Sequence, residues 1–229
     1  MKPLLFLLAT LTASAQKLTI THLTGDYYVY TGYKTYEGKP FPSNGLYLVT
    51  KAGVVLIDTP WDSSDFQPLL DSIQKRHNQK VVFCLATHFH DDRTAGLDYY
   101  RSKGIATWSS AQTKQWCKKE GQPQAAHTFQ RDTTFTVGGR SFRVFYPGKG
   151  HAPDNVVVWF EDAQILYGGC FVKSTEADGL GNLSHADVKA WPASVRKTMK
   201  AFPNRRYVIP GHFGWEGDGL GYTLKLLVN

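Results

Sequence analysis

Four short segments of this chain carry imidazole, carboxylate and thiol groups at spacings that can hold a metal. The first is Thr87-His88-Phe89-His90-Asp91-Asp92-Arg93. Residues at i, i+2 and i+4 of an extended or loosely turning backbone project to the same side, so His88, His90 and Asp92 can converge. Imidazole and carboxylate are donors that suit zinc. The second segment is Gly148-Lys149-Gly150-His151-Ala152-Pro153-Asp154-Asn155. Turn chemistry accounts for its glycines, Pro153 and Asp154, but not for the histidine. The third, Gly168-Gly169-Cys170, ends an apolar run where glycines allow close backbone approach. The fourth, Ile209-Pro210-Gly211-His212, again sets a histidine just after a short apolar run. Taken alone, Cys170 reads as an ordinary core cysteine, and each segment is a weak signal. Their joint occurrence at strand ends makes a shared metal cleft the better explanation. Six donors exceed one tetrahedral zinc, and they divide naturally into a three-histidine site and an Asp, Cys and His site, each keeping a position open for water.

The elements that must position these donors follow from apolar patterning. Leu18–Leu23, Tyr27–Tyr33, Leu46–Thr50 and Val54–Asp58 read as short strands rich in β-branched and aromatic residues. Lys34–Gly45, with its Gly and Pro content, is expected to be a mobile hairpin loop. Ser63, Ser64 or Asp65 caps a helix in which Phe66, Leu69, Leu70, Ile73 and His77 fall at helical spacing. His77 closes that helix, where a cation is favoured. Val81–Thr87 is a continuous apolar run, as expected for a strand buried on both faces. Downstream, helices are expected over Leu97–Lys103, Ala111–Lys119 and Leu220–Leu227, and over Asp187–Phe202 with a break near Trp191-Pro192. Strands are expected at Ile105–Trp108, within Thr128–Tyr146, and at Val156–Phe160, Ile165–Gly168 and Tyr207–Ile209. This order suits an α/β layered architecture of mixed sheets with helices outside.

Bulk properties bound the setting. Met1-Lys2, an apolar run from Leu4 to Leu11 and the small residues Thr12-Ala13-Ser14-Ala15 have the layout of a secretory signal peptide, with cleavage expected after Ala15. That run is too short to span a bilayer, which takes roughly 20 residues. Residues 16–229 are compatible with one large domain. The net charge of +7 comes from scattered Lys and Arg, which gives nucleic-acid binding little support. The cysteines, Cys84, Cys117 and Cys170, are odd in number, so at least one is free, pairs between chains or binds a metal. A thiol kept free in an oxidising compartment needs a reason, and ligation is one.

The sequence resembles the class B metallo-β-lactamases of the first subclass. The matching residues are His88-Phe-His90-Asp-Asp92, Gly150-His151-Ala-Pro-Asp-Asn155, Gly168-Gly169-Cys170-Phe-Val-Lys173, Gly181-Asn182-Leu183 and Pro210-Gly211-His212. The resemblance implies an αββα sandwich of two mixed β-sheets with helices on the outer faces. It implies two Zn2+ per chain, one held by His88, His90 and His151 and the other by Asp92, Cys170 and His212. The implied activity is hydrolysis of the β-lactam amide of penicillins, cephalosporins and carbapenems by hydroxide generated at the metal, conferring resistance. Asp92 would orient the hydroxide, and Lys173 would pair with the substrate carboxylate. Asn182 resembles the residue that hydrogen-bonds the carbonyl, and is equally placed to be a turn residue after Gly181. The Lys34–Gly45 loop, with Tyr36 and Phe41, resembles a flap over apolar substrate groups, and Trp61 is the expected facing wall. A periplasmic monomer without membrane anchor or nucleic-acid partner is implied.

One departure from the family pattern is Phe213, where a glycine usually follows the last ligand. A bulky ring there is expected to narrow the cleft or shift the second metal. Lactonases and thioesterases of the same fold usually carry a further His after the motif Asp and a bridging carboxylate. Arg93 and Cys170 take those places here and argue against them. A secreted zinc-binding protein without catalysis would need the ligands but neither Lys173 nor a flap.

Overall fold

Period-two patterning sorts the apolar residues of this chain onto opposite faces of its strands, and those faces define the layers. The computed structural model describes residues 17–228, so the expected signal peptide lies outside the described residues. The first sheet runs in chain order through β1 (Thr19–Thr24), β2 (Tyr27–Tyr36), β3 (Lys39–Thr50), β4 (Gly53–Ile57), β5 (Val81–Leu85), β6 (Ala106–Ser110) and β7 (His127–Phe129). Its pairings are antiparallel up to β4 and parallel beyond it. The second sheet comprises β8 (Thr133–Val137), β9 (Arg140–Phe145), β10 (Val157–Phe160), β11 (Ile165–Gly169) and β12 (Tyr207–Pro210), in the order β12-β11-β10-β9-β8. Only its β11–β12 pair is parallel.

Leu46, Leu48, Val55 and Ile57 of the first sheet meet Val158, Phe160, Ile165 and Tyr167 of the second in one buried cluster. Their sequence neighbours Tyr47, Val54 and Leu56, with Cys84, point the other way. They pack under Phe66, Leu69 and Ile73 of α1 (Phe66–His77) and under Leu97 and Tyr100 of α3 (Leu97–Ser102), which lies in the chain between α2 (Asp91–Thr94) and α4 (Ala111–Lys119). On the far side, Val157, Trp159 and Leu166 pack under α5 (Trp191–Ala201) and α6 (Gly219–Val228) through Trp191, Val195 and Leu220. The architecture is therefore the expected αββα sandwich of two mixed sheets. Phe83 and Leu85 face inward and Cys84 outward, so β5 is buried on both faces. Cys84, Cys117 and Cys170 are all buried free thiols.

Three local expectations are corrected. Lys34–Gly45 is a hairpin as expected, but not a loop: β2 and β3 stay paired to Tyr36↔Lys39, and the turn is Glu37-Gly38. Both turn residues have positive φ, 48° and 76°, as a two-residue hairpin turn requires. Pairing with β4 begins only at Leu46, so Pro40 and Pro42 lie on a two-stranded ribbon where a missing donor faces no neighbour. Second, α5 does not run from Asp187 through a break. It starts at Trp191 with Pro192 in its first turn, where proline is favoured, and Asp187 Oδ1 accepts the Ala190 N–H at 3.0 Å. Third, His77 is not set up as a cation. Its Nε2 lies 3.0 Å from the Tyr47 hydroxyl, and burial lowers its pKa. Among the described residues no helix is long and apolar enough to cross a membrane.

Candidate metal centre

The six expected donors meet at one end of the sandwich, and each group of three draws on both sheets. β5 leads through Thr87 into His88 and His90, after which the one-turn helix α2 (Asp91–Thr94) turns Asp92 back toward them. His151 enters from the loop before β10, Cys170 directly follows β11, and His212 lies two residues beyond β12. The stem of this arrangement is Asp58, buried at the end of β4. Its carboxylate accepts the Thr87 N–H at 2.7 Å and the Thr87 hydroxyl at 2.9 Å, which fixes the residue preceding His88. Burial raises the pKa of Asp58 to about 6, against the opposing charge of Arg93.

In the first cluster His90 Nδ1 lies 3.1 Å from both His88 Nε2 and His151 Nε2. In the second, Cys170 Sγ, Asp92 Oδ2 and His212 Nε2 are mutually 3.2 Å apart. Zinc bound tetrahedrally to nitrogen at about 2.0–2.1 Å would set its donors about 3.3–3.4 Å apart, so both triangles fit such an ion with slight opening. The clusters adjoin, with His88 Nε2 4.0 Å from Asp92 Oδ1. His88, Asp92, His151 and Cys170 are buried and His90 and His212 half-buried.

The surroundings select the donor forms a cation needs. Burial holds His88 and His151 well below the usual imidazole range and lowers His90 and His212, so neutral rings with a free lone pair are favoured. His212 Nδ1–H donates to the Pro42 carbonyl at 2.7 Å, which leaves Nε2 as the lone pair facing Cys170 and Asp92. His90 Nε2 sits 3.2 Å from His185 Nδ1, an arrangement that leaves Nδ1 for the cluster. Burial opposes the charge on Asp92, but the Arg93 guanidinium beside it holds its carboxyl well below the ordinary range. Burial pushes the Cys170 thiol up, with Arg93 opposing, and a bound cation would take it as thiolate. Gly211 is required where these elements meet. A Cβ there would lie 2.7 Å from Cys170 Sγ and 2.8 Å from Arg93 Nη2.

Arg93 is not a ligand but the support of the second cluster. Fully buried, it donates to Asp92 Oδ2 at 2.8 Å, to Cys170 Sγ at 3.0 Å and to the Gly211 carbonyl at 2.9 Å. Its other amino group reaches the Asn44 carbonyl, the Tyr167 hydroxyl and Asp58.

A cleft of about 750 Å³ opens over both clusters. Its walls include Lys173, Asn182, Trp61, Tyr36 and Phe41, all expected from the sequence, and His185. Lys173 is buried with no carboxylate within ion-pair distance among the described residues; its ammonium lies 5.4 Å from the Trp191 ring centre. Asn182 is exposed and spends its carbonyl on the Ser184 N–H at 2.9 Å, as a turn residue does, while its amide NH2 stays free. Trp61 is held by its indole N–H on Asp91 Oδ2 at 2.8 Å. Phe213 is absent from the wall of the cleft; its ring packs on Phe41, which does line it.

An αββα sandwich with two adjoining zinc-type donor clusters at one end defines a two-metal class of protein. The sequence comparisons agree. The model of the metallo-beta-lactamase superfamily matches residues 38–212. A metallo-beta-lactamase type 2 of Elizabethkingia meningoseptica is 43% identical over 212 residues, covering 92% of this chain and 85% of that protein. Its namesake in Bacteroides fragilis is 35% identical over 213 residues, with 93% and 86% covered. The solved metallo-beta-lactamase from Pontibacter korlensis superposes with a TM-score of 0.90 at 39% identity, over 93% of this chain and 100% of that one. The chain belongs to the metallo-beta-lactamase superfamily.

Proposed function

We propose that this protein is a zinc-dependent β-lactamase, opening the cyclic amide of penicillins, cephalosporins and carbapenems. The observation that carries this reading is the pair of adjoining three-donor clusters beneath one cleft, each able to hold a zinc and leave a position open. His88, His90 and His151 would hold one ion and Asp92, Cys170 and His212 the other. Bound there, zinc lowers the pKa of water toward neutrality and polarises a carbonyl oxygen.

The chain's own groups supply the rest. Asp92 keeps Oδ2 on Arg93 and turns Oδ1 toward the first cluster, where it would accept a hydrogen bond from the attacking water and orient it. Lys173 is buried with no carboxylate within ion-pair distance among the described residues, and the substrate carboxylate would supply the counter-ion. The free amide NH2 of Asn182 would donate to the lactam carbonyl. Tyr36, Phe41 and Trp61 would cover apolar substituents and exclude water.

The composition of residues 1–15 supports an exported, cleaved leader. Residues 16–229 would then form a single catalytic domain, acting in the periplasm as a monomer without a membrane anchor. The experiment is direct: the purified protein should hydrolyse a chromogenic cephalosporin, lose activity to a chelator and recover it on adding zinc. Failure to turn over any penicillin, cephalosporin or carbapenem at full zinc loading would overturn the assignment.

A further inference from the structure

We infer that Phe213 is a positioning residue that clamps the β2–β3 hairpin over the second metal cluster and thereby limits the size of substituent the cleft admits. The size-limiting half rests on the β-lactamase reading above; the clamp itself does not. Phe213 has φ of 62°, a left-handed conformation in which a bulky residue is strained and glycine is not. Something outside the loop must compensate for the strain.

The hairpin provides it. In this conformation the Phe213 carbonyl accepts from Asn44 Nδ2 at 2.7 Å, and its ring meets Phe41 edge to face, centres 5.0 Å apart and planes at 74°. Phe41 in turn covers the ring of His212 at 5.0 Å. The backbones are joined alongside, with the Asn44 N–H on the Gly211 carbonyl at 2.8 Å and His212 on the Pro42 carbonyl. The opposite edge of the hairpin is tied at a second point. Lys34 reaches Asp91 at 3.2 Å and lies over Trp61, which also donates to Asp91. Since β4 pairs with β3 only from Leu46 onward, these attachments, together with the packing of Tyr36 and Phe41 on Trp61 at 6.0 and 6.4 Å, decide how firmly the tip sits over the cleft. Phe213 is the apolar contact on the His212 side, and it acts on substrate only through Phe41.

Replacing Phe213 by glycine relieves the strain and deletes the clamp, so the fold should stay intact while the tip loosens. Hydrogen–deuterium exchange of the free protein, with and without zinc, tests this. In F213G the amides of residues 33–42 should exchange roughly tenfold faster, the scale set by one aromatic pair plus its buried area. Amides of α1 and β5 and the zinc content should not change. F213Y, which keeps the ring, should restore the wild-type pattern. Combining F213G with F41A should add little to either alone. Unchanged exchange in the tip, or acceleration spread evenly over the fold, would overturn the clamp. With a cephalosporin series graded in side-chain bulk, F213G should shift the ratio of KM between large and small members while kcat moves less. A constant ratio would overturn the size-limiting role. The exchange readings need no turnover, so they stand or fail apart from the assigned activity.

Discussion

The guanidinium of Arg93 lies 3.0 Å from the sulfur of Cys170 and ties that thiol to the chain carrying His88, His90 and Asp92. The same group holds Asp92 and the backbone carbonyls of Asn44 and Gly211, with no solvent exposure. Breaking a buried charged pair by removing one partner typically costs about 3–5 kcal/mol. Arg93→Ala should therefore lower the unfolding midpoint by several degrees and weaken binding of one zinc. Arg93→Lys should rescue little, because an ammonium cannot fork between Asp92 and Cys170. Thermal unfolding and metal content measured together check this; wild-type stability with two tightly held ions would contradict it.

Cys170→Ser should separate the two clusters. The thiolate is the soft donor of its triad, so zinc titration should show weaker binding at one site with the three-histidine site nearly unchanged. His151→Ala should give the complementary pattern. Equal loss at both sites in each variant would contradict the assigned partition.

Lys173→Ala removes the buried cation without touching a proposed ligand. The expected result is a KM higher by about tenfold or more, as for loss of a charge-assisted contact, with a smaller change in kcat. Steady-state kinetics on one cephalosporin decide it, and an unchanged KM would exclude a role in holding the substrate carboxylate.

Asp154 offers a pH-dependent prediction outside the metal clusters. Its carboxyl is fully buried, and burial raises its pKa to about 7 against weak hydrogen bonds that lower it. The folded state thus binds its proton more tightly than the unfolded chain, whose value is about 3.9. This contribution to stability is complete below pH 4 and is lost as the pH rises toward 7. The buried histidines act oppositely, being neutral in the fold, so only the difference between variants isolates Asp154. Unfolding midpoints of wild type and Asp154→Asn should diverge between pH 4 and 7, the variant gaining relative stability as the pH rises. Parallel curves would show that Asp154 is ionised in the fold.

The ligands were legible in the sequence because His88, His151, Cys170 and His212 stand beside apolar strands where turn chemistry has no use for them. The strands were legible for a related reason: alternations such as Leu46-Tyr47-Leu48 fix the two faces locally. What sequence could not show depends on contacts between distant segments. Asp58 and Tyr167 form one buried network with Arg93, yet neither stands out within its own segment. His185 stands outside the four donor segments, and only the packing of its loop against Phe89 and His90 brings it to the cleft. The hairpin was misread because Gly38, Pro40 and Pro42 carry loop signals, which a ribbon projecting past its sheet tolerates. Pro192 was read as a break, whereas a proline one residue into a helix marks its beginning.

Each donor triad takes groups from both sheets, and that arrangement reaches beyond catalysis. An ion seated there is a cross-link between the halves of the sandwich, joining positions that lie far apart in the unfolded chain. Zinc that binds the folded state in preference to the unfolded chain stabilises it in proportion to the logarithm of its free concentration. Surroundings poor in zinc would therefore shorten the protein's lifetime as well as silence it, so metal supply governs durability through the same six side chains.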